Sequence, residues 1–160
     1  MSGVRVFKRG DTYFIEGMLN EDANMSAILA QNDPVLRLNF KGVKMINSLG
    51  LSSMIRFGEG LADRRVEFLE LSPVIVDAVN IVPLIVGGQK KVSRIKSVIA
   101  PLTCKNKHPT LVTIQIKDLK FKNQILENPF SKCERCNEDM QLDGEGDPQD
   151  YFFFLTNSDD

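Results

Sequence analysis

Residues 35–63 of the chain, VLRLNFKGVKMINSLGLSSMIRFGEGLAD, decide the fold. In their first part, apolar and polar residues alternate with the period of two that is typical of a half-buried strand. The apolar positions of this alternation are Leu36, Leu38 and Phe40. Beyond it, apolar side chains recur at helical spacing, which predicts a helix capped by Asn47 or Ser48. The stretch therefore predicts a strand, a short loop and a helix.

Strands and helices also alternate on both sides of this stretch. Gly10 and Asp11 separate two short β-prone runs, which predicts an antiparallel hairpin at the start of the chain. The predicted strands are residues 4–8, 12–16, 35–40, 65–71 and 92–100, and the predicted helices lie near residues 25–29, 48–61 and 73–82. Strands that are joined through helices favour parallel neighbours, with the helices covering the sheet. The pattern therefore predicts an α/β fold built on a mixed β-sheet.

The loop and the start of the central helix resemble a known family. Residues 46–51, INSLGL, resemble the central motif of the STAS domain of anti-sigma factor antagonists, which reads strand, Asp-Ser-Ser-Gly-Leu, helix. Ser48 falls at the position of the serine that is phosphorylated in that family. Asn47 stands in place of the usual aspartate, and Leu49 in place of the second serine. The resemblance covers residues 1–101.

The resemblance implies a function as well as a fold. The first domain would be STAS-like, with helices packed on one side of a mixed sheet. It would be a non-enzymatic regulatory module that binds a protein partner, an anti-sigma factor or its kinase-like equivalent. The binding surface would surround Ser48, with Asn47, Leu49 and Gly50, and phosphorylation of Ser48 would control binding. From the residues alone, Ser48 is equally well explained as a helix cap worth about 1 kcal/mol.

Composition and charge argue against several functional classes. Of 160 residues, 42% are hydrophobic and 26% are charged, which is typical of one folded domain with a small appendage. The formal net charge of -1 disfavours a nucleic-acid-binding protein, which needs clustered Lys and Arg in excess. The most apolar run, residues 74–86, is too short to cross a membrane. Residues 1–11 lack the apolar core of a signal peptide, so we expect a cytoplasmic protein without membrane contact.

All three cysteines and the only histidine lie after residue 100. They form two closely spaced pairs, Cys104-x-x-x-His108 and Cys133-x-x-Cys136. Two such pairs are typical of a tetrahedral Cys3His site that holds a structural zinc ion. The sequence therefore predicts zinc as the cofactor of this region, with these four residues as its ligands.

The region that contains the two pairs is predicted to be a zinc-ribbon-like extension, residues 102–155. Its β-prone residues 110–116 suit a ribbon strand between two metal-binding turns. Residues 151–155, YFFFL, are too apolar to remain in water and are predicted to pack on the ribbon or on the sheet as a strand or short helix. Residues 156–160 are predicted to be a disordered tail.

Two roles without a metal are also compatible with the cysteines. The three thiols could be small core residues beside an ordinary histidine, and Cys133-x-x-Cys136 could be a thioredoxin-like redox pair. A redox pair opens a helix after a buried strand, whereas the preceding residues 128–132, NPFSK, predict a loop. The chain has no GxSxG elbow or P-loop motif, so we expect no enzyme. The alternative function is a scaffold or adaptor that contacts proteins through its zinc-ribbon-like extension.

Overall fold

The structure is a computed structural model that describes residues 3–155 of the chain. Its strands are β1 (Val4–Arg9), β2 (Thr12–Leu19), β3 (Leu36–Ile46), β4 (Val66–Leu69), β5 (Ser97–Cys104), β6 (Pro109–Gln115), β7 (Phe121–Lys122), β8 (Ile125–Leu126) and β9 (Met140–Leu142). Its α-helices are α1 (Ser26–Leu29), α2 (Ser48–Gly60), α3 (Pro73–Ile81) and α4 (Pro148–Tyr151). Short 3-10 helices cover Pro83–Val86, Gln89–Arg94, Ile116–Asp118 and Phe153–Leu155. The tail predicted at residues 156–160 lies outside the described residues.

A mixed sheet with the strand order β1-β2-β3-β4 forms the centre of the fold. β1 is antiparallel to β2, as the hairpin prediction requires, and β2, β3 and β4 are parallel. β3 is longer than predicted, since it continues beyond Phe40 to Ile46 alongside β2. The predicted α/β class with a mixed sheet and helices is therefore confirmed.

The alternation in β3 sets the core of the sheet. Its three predicted inward-facing residues, Leu36, Leu38 and Phe40, are fully buried. The ring of Phe40 lies 5.8 Å from that of Phe68 in β4, centroid to centroid. Burying an aromatic or aliphatic side chain of this size contributes about 1.5–3 kcal/mol. Helices add further buried apolar residues to this core: Met54 and Phe57 from α2, and Ile75, Val76 and Val79 from α3.

β5 connects the central sheet to the rest of the chain. A parallel bridge between Leu71 and Val98 joins β5 to the residues that follow β4, and a second bridge, between Phe68 and Ile95, lies just before β5. β5 also pairs antiparallel with β6 and, at its end, with β9. The predicted domain boundary after residue 101 falls within β5, so both predicted regions share this strand.

The last strand of the predicted first domain begins later than expected. The β-branched residues of positions 92–100 predict extended chain, but Gln89–Arg94 form a 3-10 helix and β5 begins at Ser97. Val92, within this 3-10 helix, and Ile95, directly after it, are instead buried in the core. The strand limits predicted from the β-branched composition were therefore wrong, because those residues serve core packing.

The end of the described chain packs against α3. Phe152 and Phe154 are almost completely buried. Asn80 of α3 donates its side-chain amide to the Tyr151 carbonyl at 2.9 Å, and its oxygen accepts from the Phe154 N–H at 2.8 Å. Of the two predicted forms, strand or short helix, residues 151–155 take the helical one, as the end of α4 and a 3-10 helix. Among the described residues, no helix is both long and apolar enough to span a membrane.

Candidate functional site

The first pair of candidate ligands lies at the β5–β6 turn. Cys104 is the last residue of β5, and the chain reverses immediately after it to begin β6 at Pro109. The Lys107 N–H donates to the Cys104 carbonyl at 2.9 Å, and Lys107 adopts a left-handed conformation with φ of 63°. This tight turn places His108 beside Cys104.

The second pair lies on another tight turn, at residues 133–138. The Asn137 N–H donates to the Cys133 carbonyl at 2.7 Å, and the Cys133 N–H donates to the Glu138 carbonyl at 2.8 Å. Asn137 is left-handed, with φ of 60°. Just beyond, Met140 pairs with Cys104 across β9 and β5, and this pairing brings the second turn against the end of β5.

The ligand atoms of Cys104, His108, Cys133 and Cys136 all lie within 4.8 Å of one another. His108 Nδ1 is 3.4 Å from the Cys104 sulfur and 3.6 Å from the Cys133 sulfur, and the sulfurs of Cys104 and Cys136 are 3.6 Å apart. Metal–ligand bonds of about 2.3 Å to sulfur and about 2.0–2.1 Å to nitrogen give tetrahedral edges of about 3.6–3.8 Å. The cluster is therefore consistent with a four-ligand metal site.

The surroundings of the thiols favour metal binding over a disulfide. All three cysteines are free, and a separation of 3.6 Å between two sulfurs is far longer than the bond of about 2.05 Å in a disulfide. A hydrogen bond from the Asn106 side chain lowers the pKa of the Cys136 thiol to about 6, whereas burial raises the pKa of Cys133. Cys136 therefore favours the thiolate, which is the form that binds metals.

The start of α2 decides between the two caps that the sequence predicts. The Asn47 side chain accepts a hydrogen bond from the Gly50 N–H at 2.8 Å, so Asn47 is the cap. Ser48 is the first residue of the helix and is exposed. Of the two predicted caps, Asn47 is therefore confirmed and Ser48 is not, because Ser48 is already the first residue of the helix. This leaves the Ser48 hydroxyl free of the capping role.

The other residues predicted for this surface have different environments. Leu49 is 57% exposed, whereas Gly50 is buried against β2. A Cβ atom at Gly50 would lie 1.9 Å from the Leu19 carbonyl oxygen, so only glycine allows this approach. Leu49 can therefore contact a partner, and Gly50 instead holds the helix close to the sheet.

Sequence reasoning missed Met45, which is 57% exposed just before Asn47. The register between β2 and β3 shifts twice before this point, and Val43, which the alternation from Leu36 would expose, is buried. It also missed Asn106, which lowers the pKa of Cys136. The two residues lie in separate turns, so only the fold brings them together. Neither Met45 nor Asn106 belongs to a local motif that could have indicated its role.

Comparison of the chain with protein-family models, curated proteins and solved structures finds no match. The resemblance to STAS domains therefore remains a prediction that is based on residues 46–51 and their setting between a strand and a helix.

Proposed function

We propose that this protein is a non-enzymatic regulatory module that resembles anti-sigma factor antagonists and docks a protein partner through the surface around Ser48. The observation that carries this proposal is the exposure of Ser48 between Met45 and Leu49, each of which is 57% exposed. Burying such apolar surface on docking is favourable by about 25 cal/mol per Å². The partner proposed is an anti-sigma factor or its kinase-like equivalent.

Phosphorylation of Ser48 is the proposed control. A phosphate at the first residue of α2 would meet free backbone N–H groups and the positive end of the helix dipole, so the fold would tolerate it. The partner would have to accommodate a new charge of about -1.5 to -2 on its contact surface. Phosphorylation should therefore weaken the complex more than it weakens the folded state.

Affinity capture of partners with the wild type and with two Ser48 variants tests this proposal. We expect Ser48→Asp to lose the partner that the wild type captures, and Ser48→Ala to retain it. Asn32→Asp is the matched control, because it adds the same charge at an exposed position before the start of β3, whereas Ser48 follows the end of that strand. Equal capture by wild type and Ser48→Asp would contradict the proposal, provided that thermal unfolding shows both to be folded.

For the Cys3His cluster, we propose zinc in a structural role. Cys104 and Cys133 are buried and the other two residues are half-buried, so four protein ligands would enclose the ion and leave no position for a substrate. His108 is also the only histidine of the chain, which leaves no other imidazole for acid–base catalysis.

Elemental analysis should find one zinc per chain, with less in both Cys104→Ser and Cys133→Ser. If only Cys133→Ser loses zinc, the first pair, Cys104 and His108, does not bind the metal.

A second candidate function is an adaptor that binds an extended segment of a protein partner along β6. Among the described residues, no strand pairs with the outer edge of β6, whose seven residues include no charge. Leu111 in this strand is 68% exposed, and a cavity of about 520 Å³ lies between the strand and the Cys133 turn. Native edge strands usually carry charges that prevent pairing, so an uncharged edge suits strand addition.

Lysine substitutions distinguish the two candidate functions. Leu111→Lys with Thr113→Lys places two charges on the exposed side of β6 and should abolish capture of a partner that adds a strand. Gln141→Lys is the control, since Gln141 is exposed on β9 of the same sheet. A partner that is lost with Ser48→Asp and retained with the β6 variant supports the regulatory module and contradicts the adaptor.

A further inference from the structure

A cavity of about 310 Å³ at the beginning of β4 is surrounded by positive charge. It lies between the loop that enters β4 and the 3-10 helix Gln89–Arg94. Among residues 3–155, its ionisable lining residues are Arg64, Arg65, Lys90, Lys91, Arg94 and Lys96, with Glu67 as the only carboxylate. This concentration of charge contrasts with the net charge of -1 for the whole chain.

None of the six cations has an ion-pair partner among residues 3–155. Arg64 and Arg94 donate to backbone carbonyls, whereas the other four are free: Arg65, Lys90, Lys91 and Lys96. Each of the four is exposed at the cavity. Glu67 does not neutralise them, because it pairs with Arg37 at 3.4 Å. Like charges about 8 Å apart repel by about 0.5 kcal/mol in water and by about 2 kcal/mol near a protein surface. An anion in the cavity would remove this repulsion.

Two buried or half-buried arginines build the frame of the cavity. The Arg94 guanidinium donates to the carbonyls of Val86, Leu61 and Arg64 at 3.0, 2.9 and 2.8 Å, and so ties the 3-10 helix to the loop before β4. Arg64 in turn donates to the Leu29 carbonyl at 3.1 Å. The exposed cations are thereby carried on segments that are already held together before any ligand binds.

We propose that this cavity binds a small ligand that carries two or more phosphate groups. A phosphate monoester has a charge of about -1.5 to -2 at neutral pH, so two of them match four cations. Arg65 can bind a phosphate through two parallel N–H groups, and the lysines supply point charges. The hydroxyl of Ser93, which also lines the cavity, can donate a further hydrogen bond.

The arrangement favours a small ligand over a nucleic-acid strand. A strand presents a row of phosphates and needs cations spread along a face, and its affinity depends on the number of phosphates contacted. Here the four free cations line one cavity. The site is also distinct from the Ser48 surface, because β3 and β4 are parallel and Ser48 follows the end of β3 whereas Arg65 precedes the start of β4.

Calorimetric titration with inorganic pyrophosphate tests the proposal. The double variant Lys90→Gln with Lys91→Gln should raise Kd at least tenfold. Lys41→Gln with Lys44→Gln removes the same charge from exposed lysines outside the cavity and should change Kd less than twofold. Higher salt should weaken binding by the wild type.

Several results would overturn the proposal. An equal loss of pyrophosphate affinity in both double variants would show general charge attraction. An affinity for single-stranded oligonucleotides that rises steadily with their length would show a nucleic-acid-binding surface. Gln89 donates to the Phe154 carbonyl at 3.4 Å, and the sequence continues to Asp159 and Asp160. These two carboxylates would compete with added pyrophosphate if they reached the cavity, so the titration is repeated with a chain that ends at Leu155 and lacks them. Absence of binding to both chains contradicts the proposal.

The phosphate groups could belong to a free metabolite or to a lipid headgroup, and vesicles distinguish these sources. Binding to vesicles that contain a bisphosphorylated inositol lipid, with loss in the Lys90→Gln, Lys91→Gln variant, would identify the headgroup. Pyrophosphate binding without vesicle binding would identify a free ligand.

Discussion

The central sheet and the segment between β5 and β9 differ sharply in how many side chains they bury. In the sheet, large side chains such as Phe40 and Phe68 are fully buried. In residues 105–139, the only buried side chains are Ile114, Leu126 and Cys133. Ordering each residue costs about 1–2 kcal/mol of backbone entropy, which so few buried side chains do not offset. If the proposed zinc binds the Cys3His cluster, the second region should depend on it for its order, whereas the sheet should depend only on its core.

Of all the changes, removal of the proposed metal should have the largest effect on stability. The effect should be confined to residues 105–139. A structural zinc ion can contribute about 10 kcal/mol or more to the segment that binds it. We therefore expect a chelator, or Cys133→Ser, to abolish amide-exchange protection in residues 105–139 and to leave β2 and β3 protected. Ser131→Ala, in the exposed loop before the same turn, is the control. Equal loss of protection in β3 would mean that the two regions fold as one unit.

The reverse experiment changes the core of the sheet. Phe68→Ala leaves a cavity beside Phe40 and should lower the free energy of unfolding by about 3–5 kcal/mol. Denaturant titration followed by far-UV circular dichroism measures this loss. Phe121→Ala is the control, since this phenylalanine is exposed on the short β7–β8 hairpin and its removal should cost little. The comparison fails if both variants are destabilised to the same extent.

A smaller effect is expected at the place where the C-terminal residues dock on the sheet domain. Asn80→Ala removes the hydrogen bonds to Tyr151 and Phe154 and should cost about 1–3 kcal/mol, since each of the two bonds contributes about 0.5–1.5 kcal/mol. Amide exchange should increase mainly in residues 148–155, with metal content unchanged. Gln141→Ala on β9 is the control. Release of zinc from Asn80→Ala would show that docking and metal binding are coupled.

The smallest effect separates the two residues at the start of α2. Asn47→Ala removes the helix cap and should lower the free energy of unfolding by about 1 kcal/mol. Ser48→Ala should change it by less than about 0.5 kcal/mol, as is usual for an exposed position without a special role. Chemical denaturation of both variants measures the difference. A larger loss of stability in Ser48→Ala than in Asn47→Ala would show that Ser48, and not Asn47, caps the helix.

Local patterns predicted the parts of the fold that local forces decide. The alternation at Leu36, Leu38 and Phe40 and the hairpin at Gly10 each follow from neighbouring residues, and the structure confirms both. The start of β5 could not be predicted in this way, because Val92 and Ile95 are apolar for tertiary packing and not for strand formation.

The candidate sites show the same limit. The proximity of the two Cys/His pairs could be anticipated, since ligands of one ion must meet and each pair is closely spaced in sequence. The basic cavity could not be anticipated, because Arg65 is separated in sequence from Lys90 and Lys96, and only the fold brings them together. Net charge hides such a cluster, since acidic residues elsewhere cancel it.

The hydrogen bond between Asn80 and Phe154 has a consequence for synthesis on the ribosome. The two residues are separated by 74 positions, so α3 is made long before the segment that covers it. At about 5–20 residues per second, this interval lasts roughly 4 to 15 s. During that time Phe152 and Phe154 are not yet there to cover the apolar surface of α3, so we expect this helix to be open to a ribosome-associated chaperone.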